Sequence, residues 1–138
     1  RHSGEHFASV DISLRIVLDW AFYVRRTGVD WHWLLAQLDR VGMRPYLAVL
    51  NAICVRYLGF DASLFPGLPV DQGLVERSMQ DILAPEVEPE EHKNRMREVA
   101  FRFRRWYANR WKHDMVYRER AAVSLCTQLW SHVLKPSL

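Results

Sequence analysis

An all-α fold, a helical bundle of five to seven helices, is what this sequence predicts. Three observations carry that expectation. Apolar residues recur every three or four positions through most of the chain. No segment alternates apolar and polar residues as a half-buried strand does, and no repeat or low-complexity tract is present. Helix starts and stops, such as Asp30, Gly42, Arg44-Pro45, Gly59 and Asp71, fall between the periodic stretches.

The first helix is expected over 9–26. Ile12, Ile16, Trp20, Tyr23 and Val24 line one side, and Val10, Leu14, Val17 and Ala21 fill the next. Only Asp11, Arg15 and Asp19 form a polar row, so this helix should be central and largely buried. Thr27-Gly28 ends it. Asp30 caps a second helix over 31–41, with Leu34, Leu35, Leu38 and Val41 inward and Gly42 as its left-handed stop. Pro45 suits the first turn of a third helix, whose apolar side is Tyr46, Leu50, Ile53, Cys54, Tyr57 and Leu58. Gly59 closes it. Residues 61–69 read as a loop without regular structure, because Pro66, Gly67 and Pro69 interrupt it.

Asp71 caps a fourth helix, and Val70 can staple onto Val75. Its inner stripe is Val75, Met79, Ile82 and Leu83, and Pro85 stops it. Residues 86–91 form an acidic connector. A fifth helix is expected from about residue 90 to about 112. Its wheel puts Met96, Val99, Ala100, Phe103, Trp106, Tyr107 and Trp111 on the core side, with Arg102, Arg105, Asn109 and Lys112 opposite. Residues 112–114 could break or bend it, and the pattern leaves open whether it continues through His113 into a last helix over about 116–133, with Ala122, Cys126, Leu129, Trp130 and Val133 inward.

Composition sets the outer bounds. With 138 residues, 49% hydrophobic and 25% charged, the chain suits one globular domain with a real core. No apolar run is long enough to cross a bilayer, and no secretory signal opens the chain. Cys54 and Cys126 sit within apolar helical patterns, as reduced core cysteines of a cytoplasmic protein do. The chain opens with Arg1, as the C-terminal part of a longer protein would. Net charge is +3, too small to argue for nucleic acid by itself. Its distribution is uneven. Ten Lys/Arg against three Asp/Glu give residues 93–120 a net +7, just after five acids in 81–91.

The segment 101–113, FRFRRWYANRWKH, is the most pointed functional candidate. Arg102, Arg105 and Lys112 could hold anionic oxygens, since guanidinium binds phosphate in a fixed fork. Arg110 projects toward Trp106 and Tyr107, where it could stack on a ring, pair with an acid or touch a bound base. The plainer alternative is a solvated basic face over an ordinary core stripe, with Arg110 paired to an acid.

Other candidates are weaker. Asp11 and Asp19 could serve acid–base or metal chemistry, but Arg15 between them favours a structural ion-pair row. Trp31, His32 and Trp33 point in different directions and cannot all line one pocket. His113 beside Asp114 has no nearby serine or cysteine to complete a nucleophilic set. His2 and His6 have helical spacing but lie at a terminus, and no Cys/His pattern reads as a zinc site. There is no phosphate-cradling loop, no Gly-x-Gly-x-x-Gly, no Asp-x-Asp and no Gly-x-Ser-x-Gly. No catalytic residue and no metal site is therefore assigned to this chain.

Several short pieces in order form a recognisable set. They are Ser13-Leu14-Arg15 with Asp19-Trp20, Val29-Asp30-Trp31, Asn51-Ala52-Ile53-Cys54 with Tyr57-Leu58-Gly59, Leu74-Val75-Glu76-Arg77 with Asp81-Ile82-Leu83, Asn109-Arg110-Trp111-Lys112-His113, and Leu134-Lys135-Pro136. This set resembles the C-terminal helical region of the uncharacterised nucleotidyltransferase family of Bacteroides-type bacteria, within the polymerase-β-like superfamily. The resemblance implies an N-terminal catalytic domain as partner, where a Gly-Ser turn and carboxylates bind Mg²⁺ and an NTP. This chain has neither feature, so the resemblance carries no catalytic residue or cofactor over to it. It implies an accessory helical domain, inactive alone, that packs on the catalytic domain and helps shape a site for a nucleotide or phosphorylated acceptor. A nucleic-acid- or phosphate-binding module using 93–120, and a protein-interaction domain, are the alternatives.

Overall fold

The chain folds as an all-α bundle whose inner helix is the third, not the first. The computed structural model describes residues 13–84 and 95–116, apart from the side chains of Arg95, Arg97, Glu98, Val99, Arg102 and Arg105. Five α-helices lie among the described residues: α1 (Leu14–Arg26), α2 (Trp31–Val41), α3 (Arg44–Arg56), α4 (Gln72–Leu83) and α5 (Arg95–Val116). No strand occurs among them. The expected stretches at 9–12, the acidic connector 86–91 and the last helix lie outside the described residues.

Helix α1 ends where Thr27 turns away and donates both its N–H and its hydroxyl to the Tyr23 carbonyl. Arg25 and Arg26 occupy the last turn, where cations complement the helix dipole. The expectation that this helix is largely buried is corrected. Only Val17, Ala21 and Val24 are buried, while Phe22 and Tyr23 face water.

Helix α2 has the expected limits. The Asp30 carboxylate accepts the Trp33 N–H at 2.9 Å. Gly42 adopts φ 74°, the left-handed conformation that favours glycine. Gly42 N–H donates to the Asp39 carbonyl and Met43 N–H to that of Leu38, a pattern that satisfies two orphan carbonyls of the helix end. Arg44 pairs with Asp39 across this turn at 2.6 Å. Val41, expected inside, is exposed.

Helix α3 packs against each of the other four helices. Residues 46–51, Ile53 and Cys54 are all buried, so the helix is enclosed on nearly every side. Tyr57, assigned above to its inner face, is instead exposed and carries Arg56 over its ring. Gly59 takes φ 70° and reverses the chain.

The stretch 61–69 is not wholly irregular, because a 3-10 turn forms at Ala62–Leu64, before the prolines. The Asp61 carboxylate accepts the Ser63 N–H at 2.8 Å, and that bond holds its carboxyl below the ordinary value. Asp71 caps α4 through the Gly73 N–H. Val75 is buried and Val70 packs against the same core, as the staple requires. Ala84 is extended, as the residue before Pro85 must tend to be. Leu83 points to solvent, and the buried face of α4 is Val75, Ser78 and Asp81.

No helix among the described residues is long and apolar enough to cross a membrane.

Candidate functional site

Helix α5 runs unbroken through Lys112, His113 and Asp114 to Val116, which answers the question of continuity there. The backbone there has no reason to stop, since neither proline nor glycine occurs between residues 95 and 116.

Its orientation overturns the wheel read from sequence. Asn109, Lys112, Met115 and Val116 form the buried face. Met96, Ala100, Phe103, Tyr107 and Arg110 lie on the opposite face and are exposed. Phe103 is 56% exposed and Tyr107 55%. Of the stripe expected to be core, Met96, Ala100, Phe103 and Tyr107 therefore face water while Trp106 and Trp111 are half-buried, and of the row expected to be outer, Asn109 and Lys112 face the bundle. The cause lies in the last turns and in the neighbouring helix. Met115 and Val116 are apolar anchors that the wheel of 96–112 does not include. Lys112 lies on the same side as Met115 and Val116, and α4 offers it a carboxylate.

Lys112 is completely buried, and its Nζ lies 2.5 Å from Asp81 Oδ2, itself 7% exposed. The lysine stem fills apolar space while its ammonium meets the charge. A buried pair of this kind adds little net stability, because desolvation offsets attraction, but losing one partner strands the other. Ser78 lies one turn before Asp81 on the same buried face of α4.

Around this pair the rings and cations are layered. The Arg77 guanidinium from α4 sits 4.5 Å over the Trp111 ring, and Lys112 Nζ is 5.7 Å from the same ring. Trp111 itself packs against the core. On the outer face, Arg110 lies 4.5 Å over Tyr107, the stacking that its i, i+3 spacing made available. Phe103 and Trp106 sit 6.0 Å apart as a tilted pair. Arg104 and Arg110 flank these rings and are exposed.

Of the four candidate binding residues, Arg110 is on the exposed aromatic face and Lys112 is in the interior. Arg102 and Arg105 lie on the α5 backbone, with side chains outside the described residues. Asp81 is the partner that the sequence reading missed. It was counted there within an acidic segment, 31 residues from Lys112, and nothing local marks it.

The remaining candidates separate as follows. Arg15 and Asp19 are 3.9 Å apart and both exposed, a weak helix ion pair, while Asp11 lies outside the described residues. Trp31 packs edge-on to Trp20, and Trp33 and His32 face solvent, so the three do not share a pocket. Trp20 donates its Nε1–H to Asn51 Oδ1 at 3.0 Å and stacks on Tyr23, a structural use of the ring. Among the described residues, no group of three or more His, Cys, Asp or Glu could hold a metal ion.

No protein-family model, curated protein or solved structure matches this chain.

Proposed function

We propose that this chain is an accessory helical domain whose outer α5 face docks on a second protein surface. One observation supports the reading most. A bundle helix ordinarily hides its rings and shows its polar residues. Here α5 hides Asn109 and Lys112 and shows Phe103 and Tyr107. Departures of this kind from local consistency collect at functional surfaces. Tyrosine, phenylalanine and arginine are also the side chains enriched at protein interfaces. Arg110 over Tyr107 and Arg104 beside them make the face cationic as well as aromatic. It therefore suits an apolar surface rimmed by carboxylates or phosphate.

The resemblance to the nucleotidyltransferase family names the partner in this reading: the family's catalytic domain. Mg²⁺ and the NTP would be bound there, since this chain lacks the Gly-Ser turn and the Asp-x-Asp pair. A nucleotide or phosphorylated acceptor held between the two domains would meet Arg110 from this side.

The test has two stages. The parent reading frame upstream of Arg1 is read for a Gly-Ser turn followed by paired carboxylates. That upstream part, expressed separately, is then titrated with this chain by calorimetry. Phe103→Ala and Tyr107→Ala are each expected to weaken binding by more than about tenfold, as a central aromatic anchor does. An upstream frame without such a pattern removes the nucleotidyltransferase partner. Undiminished binding by both variants removes the docking face. A steep fall of nucleic-acid affinity with salt, flattened by Arg110→Ala, would instead favour the nucleic-acid reading.

A further inference from the structure

One row of side chains is turned outward along nearly the whole of α5. It consists of Met96, Ala100, Phe103, Tyr107, Arg110 and Asp114, and all six are exposed. Their separations alternate between four and three residues from end to end. That alternation, with a mean of about 3.5, is the period at which two α-helices wrap and keep the same sides together. The bundle occupies the other side of the helix, through Asn109, Lys112, Met115 and Val116. The outward row covers a length of about 27 Å, at about 1.5 Å per residue.

We infer that this row is a helix-pairing seam, and that its occupant is one amphipathic α-helix with acidic flanks. The docking role proposed above is presupposed, and what is added is the shape and charge of the partner. The spacing argues for the shape, since only another helix returns to the same side at this period. Phe103 and Tyr107 supply the knobs, and Ala100 between Met96 and Phe103 leaves a hole for a large side chain. The cations argue for the charge. Arg110 lies 4.5 Å over the Tyr107 ring, within the row, and a stacked guanidinium still offers its donor edge to a carboxylate. Arg104 is exposed and flanks the row between Phe103 and Tyr107, the position at which charges select a partner helix. A second copy of this chain does not suit. Paired in parallel, it sets Arg110 against Arg110 and Asp114 against Asp114. Paired antiparallel, with Phe103 facing Tyr107, it sets Arg104 beside its own counterpart. Like charges so placed oppose association. The complementary helix has apolar side chains at the same spacing and carboxylates facing Arg104 and Arg110.

The experiment titrates the 138-residue chain against three fluorescein-labelled helical peptides of about 20 residues, long enough to span the row. The first has leucines at the 3–4 spacing and glutamates on both flanks. The second replaces those glutamates by lysine, and the third has the composition of the first with the spacing broken. By anisotropy the first binds, and the second and third are each weaker by at least about tenfold. Phe103→Ala weakens the first peptide by a similar factor, and the double variant Arg104→Glu/Arg110→Glu prefers the second peptide. Trp33→Ala, which removes an exposed ring of α2, leaves the affinity unchanged. All these substitutions are at exposed positions, and circular dichroism checks that the fold is kept. Equal binding of the first and third peptides overturns the inference, as does a loss in Trp33→Ala equal to that in Phe103→Ala. So does a dimer of the chain alone, seen by sedimentation equilibrium and dissolved by Phe103→Ala, because the occupant is then a second copy. If no peptide binds while the upstream domain still loses affinity for Phe103→Ala and Tyr107→Ala, the helical partner is overturned and the docking face stands. Peptide binding as expected beside an indifferent upstream domain supports the seam and removes that domain as its partner.

Discussion

Helix α3 hides apolar side chains on nearly every side, whereas α5, packed against it, hides Asn109 and Lys112 and leaves Phe103 and Tyr107 in water. The two helices differ in what decides their orientation. For α3, any rotation exposes something apolar, so burial and geometry agree. For α5, the described apolar residues are divided between two faces, and the buried one also carries Lys112, paired with Asp81. A hub helix of the first kind supplies stability. A helix of the second kind leaves aromatic rings on the surface, as Phe103 and Tyr107 are here.

That contrast can be broken most severely at the charge pair. Lys112→Ala leaves the Asp81 carboxylate buried and alone, and should destabilise the fold by about 3–5 kcal/mol. Urea midpoints would check this, and a loss under 1 kcal/mol would place the pair with surface ion pairs. In α3, Ile53→Ala should cost about 2–5 kcal/mol, because Ile53 is almost wholly enclosed and the cavity cannot fully collapse. The same unfolding curves report it. At the edge of the bundle, Asp30→Ala removes the cap on the Trp33 N–H and should cost about 1 kcal/mol, with the loss of helicity confined to α2 by amide exchange. Least affected should be Tyr107→Ala, within about 0.5 kcal/mol of wild type, since an exposed ring contributes little to the fold. A large loss of stability there would mean that the outer face of α5 is scaffold and not a docking surface.

Much of the fold is legible in the sequence because its signals are local. Asp30 and Gly42 bracket α2 to the residue, since a carboxylate cap and a left-handed glycine act on their immediate neighbours. Asp71 starts α4 for the same reason. The enclosure of α3 and the exposure of half of α1 are less legible, because both helices read as broadly apolar and only tertiary position separates them. The direction of α5 is not legible from its own wheel. Lysine and asparagine count as polar there, and the partner that lets Lys112 be buried lies on another helix. Arg110 illustrates the opposite case. Its ring lies three residues away on the same helix, and stacking on it is one of the options that the spacing offers.

Cys54 turns the α1–α3 seam into its own gauge. Its thiol is wholly buried and donates weakly to the Val17 carbonyl at 3.9 Å. Burial pushes it up to about 12. A thiol reagent can therefore reach a thiolate at Cys54 only when α1 lifts from α3. In a chain whose Cys126 is replaced by serine, labelling at pH 8 would report the frequency of that opening. The sign of the alkaline response follows from the same shift. The unfolded chain releases this proton near 9.0 while the native chain holds it until about 12, so stability should fall as pH rises through that interval. One sulfur atom thus gives both the rate at which the seam breathes and the pH at which it begins to fail.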